Sequence, residues 1–522
     1  MKNISHLKNT NFTIAGAARS GISCAKLLKK FGLKVFLTEE KKLSTETEAI
    51  LKEIGISFEQ EGHSIDKIIN NTDILIISPG ILLSSPLVIA AKKNNILVAS
   101  EVEVASWFFP ENVICCGITG TNGKSTTTHY LANLLKLEHA AVACGNIGTP
   151  VSEAVFNLYE KNLLEDNYYL CIELSSYQLE TIYSMGPLCT CFLNLQNDHL
   201  ARYENMDEYL KAKWRLILLT RDDGLAIIEE NVLARAVHLG LSMPKCKIFV
   251  LTEHKPFTHR QQQSEYKNTG INLPIAIYKE LKNLSIEQLI PSSSLNHAHV
   301  AYDANTNSAQ INFNDHEKWD VKNSCLNGKH NIINILVASL MAEFSGLYKN
   351  RILRQWEKET TKYAPLPHRL EHIGSAKQIY IDSHKNKKTV TIINDSKATN
   401  VESTLVALQA FHKPIRLLLG GEAKGDSYLP IIEITNKDNL IIYPFGKAAP
   451  IIREQLSQFK NVRPHNFSNM LAAANEVLLE CENGDIILLS PACSSFDEFK
   501  DFEHRGNVFR AWAISCFEEN KS

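Results

Sequence analysis

The chain has 522 residues, 44% hydrophobic and 21% charged, with 55 basic and 57 acidic side chains and a formal net charge of −2. At roughly 100–200 residues per domain, about three domains are expected, each able to build its own core. So even a charge balance excludes the broad basic field of a nucleic-acid binder and the polybasic patch of a membrane-surface protein. A phosphate-bearing ligand would have to be met locally, by loops and a few cations. The 12 cysteines include no CxxC pair of the kind that holds zinc, and read as buried thiols in a reducing compartment. The start, Met1-Lys-Asn-Ile-Ser-His, lacks a signal-peptide apolar run, and no stretch of about 18 apolar residues occurs. A cytoplasmic chain with no membrane insertion and no nucleic-acid partner is expected.

In chain order, Phe12–Ala15 reads as a short strand, Gly16–Gly21 as a glycine turn, Ile22–Phe31 as a helix stopped by Gly32, and Val35–Leu37 as the next strand. Thr72–Ser78 is another buried-type strand, ending in Pro79-Gly80. A second unit starts near residue 106. Val113–Cys116 is a strand, a glycine loop follows, and Ser125–Leu137 is a helix; Tyr169–Glu173 and Cys191–Asn194 are further strands. Ligands of open parallel sheets sit at the carboxyl ends of the strands, which is where Glu173 and Asn194 to His199 would fall. Residues 230–325 look irregular, with Gln261–Gly270 and Asn305–Ser308 as surface loop or insertion, and His254 and His259 as solvated polar residues. After the turn Pro365-Leu-Pro367, strands Ile415–Leu419, Leu440–Tyr443 and Asp485–Leu489 make a third α/β unit. No fixed-period repeat occurs.

The chemistry-bearing stretch is Gly117-Ile-Thr-Gly-Thr-Asn-Gly-Lys124-Ser125. Between a strand and a helix, such a loop turns backbone N–H groups toward phosphate oxygens, and the helix N-terminus adds positive potential. Gly120, Thr121, Asn122, Gly123, Lys124, Ser125 and Thr126 are therefore expected to bind ATP, with Lys124 on the terminal phosphates and the Ser125 hydroxyl on Mg²⁺. Five residues rather than four separate Gly117 from Gly123. The Gly16–Gly21 turn is a weaker signal: Ala18 breaks the G-x-G-x-x-G pattern and no acid ends the second strand, so nicotinamide binding is unsupported. Glu173 and His199 are candidate metal ligands, His199 the less expected because Mg²⁺ prefers oxygen.

Several motifs together resemble the Mur ligases of peptidoglycan synthesis: Gly117–Thr126, Gly145-Asn-Ile-Gly148, Glu173-Leu-Ser-Ser176 and Asn197-Asp-His199. Asn394-Asp-Ser-Lys-Ala-Thr-Asn400 and Ser490–Phe499 resemble the family members that accept D-glutamate. The similarity runs from Ile14 to Gly506, with a gap over 230–325. It implies an α/β protein of three domains: an N-terminal Rossmann-like domain for a UDP substrate (1–104), a central P-loop-type ATPase on a parallel sheet (105–364), and a C-terminal Rossmann-like domain (365–522). It implies that ATP phosphorylates the carboxylate of UDP-N-acetylmuramoyl-L-alanine and that the amine of D-glutamate displaces phosphate, with Mg²⁺ required. A carboxylate repels nucleophiles and has no good leaving group; phosphorylation supplies one, and cations and positioning do the rest.

Residue roles follow from the resemblance. Lys124, Glu173, His199 and Lys213 form the catalytic set, with Ser125, Glu173, His199 and, if carbamylated, Lys213 as metal ligands. Asn146 and His199 lie near the reacting carboxylate. Asn331 and Asn334 match adenine-side contacts, Arg369 an ATP arginine at the hinge, and Asp395 a nucleotide-side acid. Arg19, Ser20, Thr38, Ser78 and Pro79 match the UDP end, and Thr399, Lys424, Ser495 and Phe502 the D-glutamate site. The chain departs from the pattern at Gly420-Gly-Glu-Ala-Lys424, where relatives carry Gly-Gly-Asp-x-Lys, at Glu39, where some carry a basic residue, and in the long 230–325 stretch. The motifs at 394–400 and 490–499 weigh against a sister ligase for another amino acid, the N-terminal domain against a folylpolyglutamate synthase, and the joint presence of Lys124, Glu173, His199 and Lys213 against a non-catalytic nucleotide sensor. A monomer is expected.

Overall fold

Short apolar runs closed by glycine or a polar residue become parallel strands here, because both faces of such a sheet are covered by helices. The computed structural model describes residues 5–163, 166–196, 202–252, 295–303, 308–313, 317–321, 329–352, 355, 367–380, 387–411, 413–434 and 439–518. The first sheet holds β1 (Asn11–Ala15), β2 (Lys34–Thr38), β3 (Ser57–Glu59), β4 (Ile74–Ile77) and β5 (Leu97–Ser100), all parallel, in the order β3-β2-β1-β4-β5. The second holds β6 (Val113–Thr119), β7 (Ala140–Gly145), β8 (Tyr168–Glu173), β9 (Cys189–Phe192), β10 (Leu225–Glu229), β11 (Lys247–Thr252), β12 (Leu295–Asp303), β13 (Ser308–Phe313) and β14 (Glu317–Val321). Their order is β14-β13-β12-β11-β10-β9-β6-β8-β7, parallel from β7 to β12 and antiparallel thereafter. The third sheet, β15 (Glu371–Tyr380), β16 (Lys387–Asn394), β17 (Ile415–Gly420), β18 (Leu440–Phe445) and β19 (Ile486–Leu489), runs β15-β16-β19-β17-β18 with only β15 antiparallel.

The expectation of an irregular 230–325 stretch needs correction. The helix Glu230–His238 and β11 continue the central sheet, and Ile248 and Val250 of β11 are buried in its core with Trp214 and Val232. Three more strands, β12 to β14, extend the same sheet. The polar surface of Lys247 and the turn residues before it hid a two-sided buried strand whose apolar core is only four residues long. The segment Gln261–Gly270, with His254 and His259, lies outside the described residues. The helix expected from Ile22 starts three residues earlier, at Arg19, because its first turn is made by polar residues of the glycine turn.

The chain forms two compact units, one of residues 1–195, 202–322 and 329–357, the other chiefly of residues 358–522. The first two sheets share the first unit, and one buried cluster runs between them. Phe12 and Ile14 of β1, Val102, Val104 and Phe108 of the connecting helix, and Val151, Leu170, Ile172 and Leu216 of the central sheet and its helices belong to one buried cluster. The connecting helix, Glu101–Trp107, carries two buried acids that reach into the central sheet's connections. Glu103 accepts from the backbone N–H groups of Tyr183 (2.8 Å) and Ser184 (3.0 Å), from the Ser184 hydroxyl and from the Trp107 indole. Glu101 accepts from the Ser152 N–H at 2.5 Å, in the first turn of the helix Val151–Glu160. No helix among the described residues is long and apolar enough to cross a membrane, and the described cysteines are buried and in no disulfide.

Burial pushes the Glu101 carboxyl up to about 7, against the pull of its Ser152 hydrogen bonds. With a folded value above the unfolded one, the folded state holds the extra proton between about pH 4.5 and 7, so stability falls as pH rises through that window and levels off above it. Glu101→Gln keeps an acceptor for the Ser152 N–H and removes the titration. Scanning fluorimetry from pH 4.5 to 8 should show a smaller loss of melting temperature in Glu101→Gln than in the wild type, with the variant the more stable at pH 8; parallel curves would refute it.

Candidate active site

β6 ends at Thr119, and residues 120–123 lead into the helix Lys124–Leu135. Gly123, the residue before that helix, has φ +83°, and a Cβ there would lie 2.4 Å from Asn334 Oδ1. The position therefore requires glycine for its backbone and for the approach of the helix Lys329–Phe344. The loop is pinned from β9's side by Asn194. Its Oδ1 accepts from the N–H groups of Thr121 (3.1 Å) and Asn122 (2.8 Å), its Nδ2 donates to Asn122 O (3.1 Å), and its carbonyl accepts from Thr121 N–H (3.0 Å). Lys124 Nζ folds back onto the loop carbonyls of Gly120 (2.9 Å) and Thr121 (2.7 Å). Ser125 is buried and Thr126 half-buried in the first helical turn, while Asn331 and Asn334 stand one turn apart on the neighbouring helix. The structure thus sets Asn334 against the loop's last glycine.

Three other expected residues come to the same edge of the sheet. Glu173, 1% exposed, ends β8 beside β6, where Ile118 is its register partner. Its Oε1 accepts from Asn146 Nδ2 (2.9 Å) and its carbonyl from Asn146 N–H (2.9 Å). Gly145, before Asn146, has φ +103°, and a Cβ there would meet Glu173 O at 2.3 Å, so the two strand ends can close only over glycine. Lys213, also 1% exposed, comes from the helix Met206–Leu218. Its Nζ donates to Gly120 O at 2.8 Å and to Thr119 Oγ1 at 3.4 Å, over the Tyr209 ring. Lys124 and Lys213 thus converge on one carbonyl oxygen. Two ammonium groups this close repel, and an anion between them, or loss of charge on Lys213, relieves the repulsion. His199 lies outside the described residues. Among those described, no group of three or more His, Cys, Asp or Glu is arranged to hold a metal. The Glu173 carboxylate and Ser125 hydroxyl are hard oxygen donors of the kind Mg²⁺ takes while keeping waters and substrate phosphates in its shell.

The residues expected at the UDP end lie at or just beyond the carboxyl ends of β1, β2 and β4. Thr38 is buried; its hydroxyl donates to Glu59 Oε1 (2.8 Å) and pairs with His63 Nδ1 (2.7 Å). Ser78 and Pro79 follow β4, and Ser20 lies in the first turn of the helix Arg19–Lys30. Arg19 Nη1 donates to Gly148 O (2.6 Å), linking the glycine turn to the Gly145–Gly148 motif of the second sheet. Glu39 Oε2 accepts from Ala17 N–H at 2.7 Å. A carboxylate thus holds the second amide of the glycine turn, while the first, that of Gly16, donates to Thr38 O at 2.9 Å.

In the second unit, Lys424 Nζ donates to Thr399 Oγ1 (3.4 Å). Ser495 is buried, and its neighbour Ser494 pairs with Glu422 through reciprocal backbone bonds of 2.9 and 3.0 Å. Phe502 O accepts from the Ser396 hydroxyl (2.8 Å), and Lys397 Nζ sits 3.7 Å from the Phe502 ring centroid. Of the four D-glutamate candidates, Lys424 and Thr399 therefore touch, and Ser495 and Phe502 are joined to their neighbourhood through Ser494 and Ser396. Arg505, which sequence reasoning passed over, joins them from beneath. Fully buried, it donates to Ser396 Oγ (3.0 Å), Ser396 O (2.9 Å), Cys493 O and Ser494 O. Burial lowers it to about 10. Asp395 accepts from Ser490 Oγ (2.8 Å) and Leu370 N–H (3.2 Å), and burial raises it to about 7, with Arg369 among the groups opposing the rise. Glu422, the departure from the relatives' Asp, reaches Lys447 Nζ at 3.7 Å.

Residues 118–342 match the family model of the Mur ligase middle domain, and residues 16–86 match that of the MurD N-terminal domain. A relative from Lactococcus lactis subsp. lactis is 31% identical over 525 residues, covering 100% of both chains. The chain belongs to the Mur ligase family. That relative carries the name UDP-N-acetylmuramoylalanine–D-glutamate ligase, as do relatives from Listeria monocytogenes serovar 1/2a, 30% identical over 98% of this chain and 97% of its own, and Koribacter versatilis, 28% identical over 97% and 98%. The fold is shared with MurF from Acinetobacter baumannii (TM-score 0.54, 13% identity, 97% of each chain) and with MurC from Thermotoga maritima (TM-score 0.53, 17% identity, 97% of this chain and 100% of that one).

Asn194 supplies the loop's side-chain contacts from β9. At about 1 kcal/mol for each of the three side-chain hydrogen bonds lost, Asn194→Ala should lower the melting temperature and, because the loop is no longer held ready for its ligand, weaken ATP binding roughly 10- to 100-fold. Titration calorimetry with a non-hydrolysable ATP analogue checks this; an unchanged affinity would contradict it.

Proposed function

We propose that this chain adds D-glutamate to UDP-N-acetylmuramoyl-L-alanine at the expense of ATP, in the cytoplasm and as a monomer, with the residues above in the roles their motifs suggest. The observation that carries the reading is the convergence of Lys124 and Lys213 on Gly120 O beside Glu173. That is a place prepared for negative charge at the end of a phosphate loop.

ATP phosphates lie along the loop Gly120–Thr126, whose Thr121 and Asn122 N–H groups stay on Asn194, and Lys124 moves from the loop carbonyls to the terminal phosphates. The UDP substrate lies along Arg19, Ser20, Thr38, Ser78 and Pro79, and Asn146, held by Glu173, presents its carboxylate to the γ-phosphate. Ser125, Glu173, His199 and a carbamylated Lys213 would hold Mg²⁺, which would supply positive charge to the transferring phosphoryl group. Carbamylation replaces one of two crowded cations with an anion. Asn331, Asn334, Arg369 and Asp395 bind the nucleotide. Lys424, Thr399, Ser495 and the Phe502 region meet the two carboxylates of D-glutamate, whose neutral amine attacks the acyl phosphate; phosphate leaves as the amide forms. Domain boundaries fall near residues 104 and 365, within the connecting helix and before β15.

Purified protein should release phosphate only when ATP, Mg²⁺, UDP-N-acetylmuramoyl-L-alanine and D-glutamate are all present. Equal turnover with L-glutamate or meso-diaminopimelate would remove the specificity. Lys213→Ala should lose most activity and regain part of it in added short carboxylate; full activity in the variant would remove the carbamate.

A further inference from the structure

One buried guanidinium has no part in the scheme above. Arg202 follows the segment 197–201 and belongs to the first unit. It lies over Tyr177, 4.1 Å from the ring centroid. Its Nε and Nη2 donate to the two carboxylate oxygens of Glu180 (3.3 and 2.5 Å), and both side chains are almost buried. The remaining donors cross to the first sheet: Nη1 reaches Pro79 O (3.1 Å) and Nη2 reaches Ile81 O (3.4 Å). Tyr203 Oη donates to Glu180 Oε1 (2.7 Å), fixing the carboxylate that fixes the arginine.

The turn after β4 is thus held against the segment after β8 by a single side chain. Only a planar fork with several donors can serve a carboxylate and two carbonyls at once; a lysine ammonium has three donors and no plane to stack. The turn so held contains Ser78 and Pro79. The same residues, with Gln178 and Thr181, line a small pocket. The buried hydroxyls of Ser78 and Thr181 make no hydrogen bond within the described structure. Buried hydroxyls left in this way are expected to meet water or a ligand.

We infer that Arg202 is a positioning residue for the UDP substrate: it sets the Ser78–Ile81 turn at the height where that turn can meet its ligand. The inference rests on assigning Ser78 and Pro79 to the UDP end. Losing Arg202 frees the turn and leaves the Glu180 carboxylate buried with only Tyr203, without touching the phosphate loop.

The test is steady-state kinetics on Arg202→Ala and Arg202→Lys, with calorimetric binding of UDP-N-acetylmuramoyl-L-alanine below each variant's melting temperature. Arg202→Ala should raise the KM and Kd for the UDP substrate at least tenfold, with kcat within threefold and the KM values for ATP and D-glutamate within twofold. Arg202→Lys should fall between it and the wild type, and carries the test alone, with at least a threefold rise, if the alanine variant does not fold. A lower melting temperature with unchanged KM for the UDP substrate, or an equal rise in all three KM values, overturns the inference. Wild-type protein that fails to bind the UDP substrate sinks the substrate assignment and the inference with it. Wild-type binding matched by the variants sinks the inference alone.

Discussion

The register of β6 between β8 and β9 decides what the central sheet can do. Ile118 pairs with Glu173 on one side and Thr119 with Phe192 on the other. Three strand ends therefore stop at nearly the same height, and the groups just past them, the phosphate loop, Glu173 and Asn194, have nowhere to go but together. In a parallel sheet a slip by one residue would turn Glu173 to the other face. The buried, β-branched and sulfur side chains of Val113–Thr119 and Tyr168–Glu173 hold that register, so the chemistry depends on packing several residues back from the reacting atoms.

The same dependence appears where the first sheet meets the second. A polar linker would let the two sheets move independently, yet the connecting helix is buried along most of its length. Its acids do what apolar side chains cannot. Glu103 satisfies four donors at once, two of them backbone N–H groups at 183 and 184, and so ties the helix to that turn. Arg19 with Gly148 and Arg202 with Pro79 and Ile81 repeat the pattern at the carboxyl edge, with a cation on one side and carbonyls on the other. Directional bonds of this kind fix orientation as well as proximity.

Much of this was legible in the sequence, and the failures have identifiable causes. Strands β1, β4, β6, β8, β17 and β19 announce themselves as apolar runs ended by glycine or a polar residue. The Gly-Lys-Ser end of the phosphate loop announces its ligand class. β11 and the helix before it were missed because they were judged with the polar stretch that follows them. Glu101 and Glu103 look on paper like a solvated first turn, since acids are favoured at helix N-termini whether buried or not. Arg505 and Arg202 were invisible for another reason. Each acts on backbone carbonyls distant in sequence, and carbonyls carry no residue identity to read. Only the fold shows which ones they serve.

The two halves of the proposed reaction are built on different principles. The phosphate loop gains its specificity from backbone N–H groups, whose positions the sheet dictates, so it is readable as a short motif. Recognition of an amino acid with two carboxylates needs side chains from three separate stretches, near 399, 424 and 495–502, held to a common frame. Arg505 provides that frame by bonding Ser396, Cys493 and Ser494 at once, and it does so while buried, where each unmet donor would cost of the order of 1–3 kcal/mol. Lys424 can then remain exposed beside Thr399, with its charge left for the ligand, because the neighbours that define its surroundings are fixed from below.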